Sequence, residues 1–391
     1  MRSTLAYNAM DKAMKTKLIA DMDLNDLRDA IDTVDDEVLS LIHKRAALAS
    51  AVGERKVSQP NAPFYVPSRE ASIIRRLLNR NTEAAAESHA AKIPDEAIHG
   101  IYRGIIGACL ALEHPMTIAY LGPEGTFSHT AAQRQFGETS AYLPCPNLAQ
   151  VFEEVESGRA TYGVVPIENA FEGAVNDTHD KFADFDLDLS ICAEIQLSIH
   201  HQLLSSCEKL SDIEVVYSHP QPLGQCKAWL ASHLPQASLC EVASTGKGGE
   251  IVKQDVDQQH SAAIASMVMA ERLALPVLAA NIEDHHHNTT RFFVIGQHDS
   301  PPSGEDKTGL VIAMKDVPGA LYGLIKPFAE RDMGLTRIES RPSKKKLWEY
   351  IFFVDVQGHR DDQNMSDAIA EVEALGALVK VLGSYPVSRK L

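Results

Sequence analysis

Much that would settle a protein's class at sight is missing from this chain. Its six cysteines, Cys109, Cys145, Cys192, Cys207, Cys226 and Cys240, never pair as Cys-x-x-Cys. That speaks against ribbon-type zinc sites and dithiol redox motifs, and it fits reduced thiols in a cytoplasmic protein. No apolar run approaches the roughly 20 residues of a membrane span. The first 20 residues have no apolar core of the kind a secretory signal needs, and they read as a loose extension. Positive charge is short: 37 Lys and Arg against 53 Asp and Glu leave a formal charge of −16. Nucleic acid and anionic membrane are poor partners for such a surface, whereas small anions bound by local arginines remain open. No repeat recurs at solenoid or propeller periods. The glycine-rich "STGKGGE" (244–250) lacks the spacing of a phosphate loop.

What is present has three textures, and 391 residues leave room for two or three domains. After the extension, residues 21–114 are helical by pattern. Leu24, Leu27, Ile31, Val34, Val38, Leu41, Leu48 and Val52 alternate spacings of three and four, which makes an a/d seam. Three prolines in "VSQPNAPFYVPS" (57–68) break it. A second helix is expected from about Arg69 to Leu78 and a third from about Pro94 to Leu112. Such a seam is hard to bury alone, so a homodimer or higher homo-oligomer is expected. Residues 115–300 alternate strand and helix, with strands in "TIAYLG", "YGVVPI", "LSICAEIQLSI", "IEVVYS", "SAAIAS" and "TRFFVIG". This is an α/β domain large enough for two lobes. The stretch at 296–309 is a Pro/Gly/Asp-rich linker. The last domain, 301–391, then runs βαββαβ, a ferredoxin-like order, with Lys344, Lys345 and Lys346 in a hairpin turn.

In the helical segment Arg45 occupies a seam position. It either reaches an acid or the dimer edge, or it projects into a pocket and binds a carboxylate bidentately. Lys56, eleven residues on, returns to within about 20° of the Arg45 face. Arg28 lies roughly 100° away and could serve a partner's pocket. "LNDLRDAIDTVDDEVLSLIHKRAALASAVGERK" followed by "YVPSREASIIRRL" resembles the helical chorismate mutases of the AroQ class. The resemblance implies that Arg28, Arg45, Lys56, Arg69 and Glu70 bind chorismate, and that its rearrangement to prephenate needs no nucleophile and no cofactor, only positioning and charge stabilisation. Three positions depart from the family pattern: Val66 for an aspartate, Cys109 for a serine and Glu113 for a glutamine. A carboxylate beside the ether oxygen opposes charge developing there. The mutase reaction is therefore expected to speed up at lower pH.

In the α/β segment, "AYLGPEGTFSHTAA" (119–132) offers backbone N–H groups, Thr126 and Ser128 at a helix start, for an anion or as a simple cap. "YGVVPIENAFEGAVNDT" (162–178) places Glu168, Asn169, Gly173 and Ala174 at a strand end. "YSHPQPLGQC" (217–226) places Ser218 and Gln225 at another. Polar strand ends of this kind suggest a crevice at one edge of the sheets. In order, "GPEGTFS", "VVPIEN", "YSHPQ" and "TTRF" resemble prephenate dehydratase. "PGAL" (318–321) and "ESRP" (339–342) resemble the ACT domain that follows it. The resemblance implies two lobes of the periplasmic-binding-protein kind, the chain leaving the first near Leu197 and returning near Pro276. It implies Thr290 as the group assisting departure of the ring hydroxyl, with Arg291 and Phe292 beside it. It also implies phenylalanine as an effector bound by Gly319, Ala320, Leu321, Glu339, Ser340, Arg341 and Pro342. A non-enzymatic ligand sensor and an arogenate-preferring dehydratase are the alternatives. In "EDHHHNTTRFF" (283–293) the three consecutive histidines invite a metal, but successive residues of an extended chain point to opposite sides. No metal is expected there. Cys226 has no base at catalytic spacing and reads as a packed thiol.

Overall fold

The computed structural model describes residues 22–58, 63–88, 92–254, 260–285, 287–342 and 349–388. The N-terminal extension and the lysine turn at 344–346 lie outside them. The chain divides into two compact units, one of residues up to Tyr65 with Ser72–Pro115, the other of Val66–Ala71 with Met116–Leu391.

The first unit is built on helices α1 (Leu24–Val57), α2 (Pro67–Ser88) and α3 (Asp95–Glu113). Asp23 starts α1 with a capping box: its carboxylate accepts from the Asn25 and Asp26 backbone N–H groups, and the Asp26 side chain reaches back. Arg55 and Lys56 in the last turn complement the helix dipole. Helix α2 runs past the expected end at Leu78, because "NRNTEAAAES" is rich in helix formers and free of Gly and Pro. Helices α1 and α3 approach closely. A Cβ on Gly53 would stand 2.5 Å from the Glu113 carbonyl oxygen. Ile74, Leu78 and Ile106 form a small core. The α1 seam takes no part in it: Leu24, Leu41 and Leu48 are each more than 60% exposed, and Gly53 is the helix's one buried residue.

The second unit carries three sheets. Its strands are β1 (Thr117–Leu121), β2 (Ala141–Cys145), β3 (Tyr162–Asn169), β4 (Gly173–Ala174), β5 (Ser190–Ser198), β6 (Gln202–Leu204), β7 (Val215–Ser218), β8 (Ser238–Glu241), β9 (Ser261–Ala265), β10 (Val277–Ala279), β11 (Thr289–Gly296), β12 (Asp306–Lys315), β13 (Leu335–Pro342), β14 (Glu349–Gln357) and β15 (Leu378–Pro386). Its helices are α4 (Phe127–Phe136), α5 (Leu148–Glu156), α6 (Asn176–Phe182), α7 (Pro220–Gln225), α8 (Lys227–His233), α9 (Thr245–Gln254), α10 (Met267–Leu273), α11 (Ala320–Ala329) and α12 (Gln363–Ala374). The first sheet runs β2-β1-β3-β11-β5, with β4 on β3, and the second runs β10-β6-β9-β7-β8. These are two lobes, and the chain crosses between them at 199–201 and 280–288. The return comes later than Pro276, because β10 still pairs with β6 in the second lobe.

The glycines of "STGKGGE" have a packing reason. A Cβ on Gly248 would lie 2.9 Å from the Tyr217 carbonyl oxygen, and one on Gly249 2.7 Å from Leu273. Without side chains there, α9 can seat directly on β7 and α10.

The third sheet, β13-β14-β12-β15, is antiparallel with α11 and α12 packed against it, the expected βαββαβ unit. It is not a free appendage. Val311, Phe353, Leu382 and Tyr385 share one apolar core with Val165, Ile191 and Phe293 of the first lobe. Gly383, at φ 144°, lets β15 lie on β5, where a Cβ would meet the Ile191 carbonyl oxygen at 2.4 Å.

Candidate active sites

The cleft of the second unit is organised around Thr290, at the start of β11. Asn169 at the end of β3 stands opposite it. The Asn169 amide donates to Thr290 Oγ1 at 2.9 Å and to Asn288 Oδ1 at 2.9 Å. Its own oxygen accepts from the backbone N–H groups of Phe171 and Glu172, which fixes the turn into β4. Asn288 donates to Gln225 Oε1 at 3.1 Å, and His201 Nε2 meets the same oxygen at 2.8 Å. Gln225 in turn donates to Glu172 at 2.9 Å, and Gln221 donates to the other oxygen of that carboxylate at 2.6 Å. Glu172 of the first lobe is thus hydrogen-bonded to α7 of the second. The cavity beside this network holds about 380 Å³ and is lined by Phe171, Glu172, Gln221, Gln225, His285 and Asn288, among others.

The donor order has a chemical consequence. Thr290 Oγ1 accepts from Asn169, so its own proton is free to point outward, and the incoming bond strengthens it as a donor. Burial lowers the pKa of His201, so its ring is neutral at ordinary pH and Nε2–H serves as the donor to Gln225. Behind it, Glu283 accepts from His201 N at 2.9 Å and contacts His200 Nδ1 at 2.7 Å. Burial alone would raise the Glu283 pKa, but these bonds hold it below the usual carboxylate value.

In the helical unit Arg45 and Lys56 both turn towards α3, as their spacing predicts. Arg45 donates to the Ile105 carbonyl at 3.4 Å. Lys56 donates to the Phe64 carbonyl at 3.0 Å and pairs with Glu113 at 2.6 Å. Arg28 is exposed, Arg69 is exposed, and Glu70 is buried. Cys109 is packed in the core, at 3% exposure.

Family models match in three successive blocks: chorismate mutase type II over residues 27–114, prephenate dehydratase over 118–300 and the ACT domain over 308–374. A bifunctional chorismate mutase/prephenate dehydratase from Aquifex aeolicus is 45% identical over 93% of this chain and 98% of its own length. The chain belongs to the bifunctional chorismate mutase/prephenate dehydratase family. Among solved structures, a prephenate dehydratase from Arthrobacter aurescens in complex with L-Phe superposes with a TM-score of 0.63, at 33% identity over 69% of this chain and 90% of that one. A quorum-quenching acylase, GqqA, superposes about as well, with a TM-score of 0.62 at 28% identity over 70% of this chain and 98% of that one. Fold likeness therefore does not decide the reaction; what does is the 45% identity to the bifunctional relative over 93% of this chain, together with the three family matches in order.

Within the dehydratase domain several expected site residues turn out to serve the scaffold. Thr126 is the N-cap of α4: its hydroxyl accepts from His129 N and donates to the Leu121 carbonyl. Ser128 is buried two residues further on, in the first turn of that helix. Ser218 is fully buried and donates to the Ile264 carbonyl at 2.8 Å. Phe292, at 1% exposure, is a core residue. Gly173 and Ala174 form β4, which pairs with Asn169 and Glu168 and closes the turn. Arg291 is not in the cleft. It is bound to Glu194 at 2.8 Å, to Asp355 and to the Tyr385 hydroxyl at 3.0 Å, and it stacks on Phe293. Burial opposes its charge, but Tyr385, Asp355 and Glu194 overcome this and raise its pKa. Glu168 likewise turns away and pairs with Arg337 of the ACT domain at 3.1 Å.

Asn288, Glu172 and His201 were not among the expected site residues. Asn288 was legible in principle, two residues before Thr290 in the same stretch. In the ACT domain Gly319 caps α11 with φ 85°, ahead of Ala320 and exposed Leu321. Glu339, Ser340, Arg341 and Pro342 lie on edge strand β13. Glu339 pairs with Arg337, and Arg341 pairs with Asp180 at 3.1 Å.

Proposed function

We propose that chorismate is rearranged in the helical domain by Arg45 and Lys56, and that Thr290 is the acid of the dehydratase step. The observation that carries the second assignment is the Asn169-to-Thr290 hydrogen bond beside the cavity. In that step the bond from the ring to its carboxylate breaks and releases carbon dioxide. Its electron pair enters the ring, the ring becomes aromatic, and hydroxide departs with a proton as water. The Thr290 hydroxyl donates to the departing oxygen, and solvent makes up the net proton. Asn169, Asn288 and Gln225 keep that hydroxyl aimed, and closure of Glu172 on Gln221 and Gln225 keeps water out.

In the mutase domain Lys56 must exchange Glu113 for substrate, or share itself between them. Arg28 lies roughly 25 Å along α1 from Arg45, so it serves the pocket of a second copy. The uncovered α1 seam supports a homodimer. Phenylalanine is the effector of the ACT domain and acts in the cytoplasm, where its precursors are made. The test is a pair of assays on the full chain, chorismate consumption and phenylpyruvate formation, the latter with arogenate in parallel and with added phenylalanine. Thr290→Ala should lose about 10²- to 10⁴-fold in dehydratase kcat and keep its mutase rate. Near-full dehydratase turnover in that variant would overturn the assignment.

A further inference from the structure

Thr290 and Asn169 face one another across β11 and β3, and the next pair in the ladder is Arg291 opposite Glu168. Neighbouring residues of a strand point to opposite faces. One pair therefore looks into the cleft, while the other looks towards the ACT sheet. Both members of that second pair are tied to it. Arg291 pairs with Asp355 of β14, and Glu168 pairs with Arg337 of β13 at 3.1 Å. Asp355 and Arg337 are themselves opposite one another in the β13–β14 ladder. Two cross-strand pairs thus meet, with their charges crossed. The first lobe offers a cation and an anion, and the ACT domain offers the matching anion and cation.

The surroundings fasten the four residues further. Glu194 holds Arg291 from one side and Lys307 of β12 from the other, at 2.9 Å. The Tyr385 hydroxyl joins Arg291 at 3.0 Å, and Arg337 also meets His179 Nε2 at 2.9 Å. Meanwhile the β11–β3 ladder slips at the very next step, between Arg291 and Phe292. Strand β5 keeps unbroken register with β11 from Thr289 to Val294, so β11 itself is fixed, but pairing beyond the slip does not by itself set where Asn169 of β3 stands against Thr290.

We propose that Arg291 and Glu168 are positioning residues, clamped by Asp355 and Arg337 of the ACT domain, and that this clamp holds Thr290 and Asn169 in alignment for the dehydratase step. The clamp touches no substrate. It rests on the assignment of Thr290 as the proton donor.

The experiment uses the full chain with Asp355→Asn, Arg337→Gln, Glu168→Gln and the Glu168→Gln/Arg337→Gln double variant. Dehydratase kcat and KM are measured with prephenate, and mutase kcat on the same samples. The clamp predicts a fall in dehydratase kcat of about tenfold for Asp355→Asn and Arg337→Gln, with KM and the mutase rate within about twofold. The double variant should be no slower than its slower parent, because the two residues act as one contact. Unchanged dehydratase kcat in the single variants would overturn the proposal. So would multiplying losses in the double variant, or mutase and dehydratase rates falling together, which is the mark of a merely structural role. If the unaltered protein did not turn over prephenate, the functional assignment itself would fall. A normal parent with normal variants removes the clamp alone.

Discussion

Helix α1 and strand β11 each carry the side chains proposed for one activity, and they are finished in opposite ways. Strand β11 is buried from Phe292 to Gly296 and paired on both edges, and the next residues on its two faces are met by Asn169 and by the ACT sheet. Helix α1 has one buried residue in 34, and its apolar stripe faces outward. Apolar area of that size is not left in water by a stable helix. On the proposed assignments, Thr290, Asn169, Asn288 and Gln225 meet within one chain, whereas the mutase pocket draws on the second copy of the proposed homodimer.

The largest effect that would break this contrast is expected from the seam. Leu41→Asp with Leu48→Asp should dissociate the oligomer and cost the mutase at least about tenfold, as charges placed in a buried interface do. Dehydratase turnover should stay near normal. Sedimentation combined with both assays checks this, and a monomer with full mutase rate would end the contrast. Glycines sharpen it next. Gly383→Ala should destabilise the second unit by about 1–3 kcal/mol, because its Cβ would strike the Ile191 carbonyl oxygen. Gly100→Ala on α3 meets no atom within 4 Å and should stabilise the helical unit by about 0.5–1 kcal/mol. Denaturant melts read both.

A smaller effect is expected at Glu113, which now has a partner in Lys56. If the carboxylate opposes charge at the ether oxygen, the mutase rate should climb a few-fold towards acid pH. Glu113→Gln should flatten that profile. A profile that is flat in the parent, or equally steep in the variant, would count against it.

A further effect, confined to acid pH, belongs to His179. Burial pushes its pKa down to about 4, with Arg337 and Arg341 adding to the shift. Its Nδ1–H donates to the Val175 carbonyl at 2.8 Å, so the neutral ring is the form that fits. The unfolded chain, with a histidine pKa near ~6.5, takes up the proton first. Stability from this residue is complete above that value and is lost as pH falls towards 4. His179→Gln should show a shallower acid loss in thermal melts across that window.

The same division explains what could be read from residues alone. The six expected strands of the α/β domain are all present, as are three helices in the first unit and the βαββαβ order at the end. Each rests on periodicity or punctuation within a short window. The strands β2, β4, β6, β8 and β10 were not expected: β4, β6 and β10 have only two or three residues, and β2 and β8 are edge strands, the first interrupted by Pro144 and the second exposed throughout. Thr290 and Asn169 come together, with Gln225 linked through Asn288. Arg291, Ser218 and Thr126 carry the same polar signature, yet they serve an interdomain ion network, a core hydrogen bond and a helix cap. Nothing in a polar side chain's identity states which partner it will find.

The sequence by itself determined the order of three domains, their element types, the apolar seam of α1 and the stretch that bears Thr290. These follow from spacing along the chain, which local sterics and side-chain burial translate directly into helix and strand. The tertiary structure decided what stands on each side of β11. Alternation sends Thr290 and Arg291 to opposite faces, where Glu194 of β5 meets the arginine, but only the docking of the ACT sheet, through Gly383 and a shared core, adds Asp355 and Tyr385 against it. A buried guanidinium is tolerable only where such partners converge, and they come from residues 64 to 97 positions away in the chain.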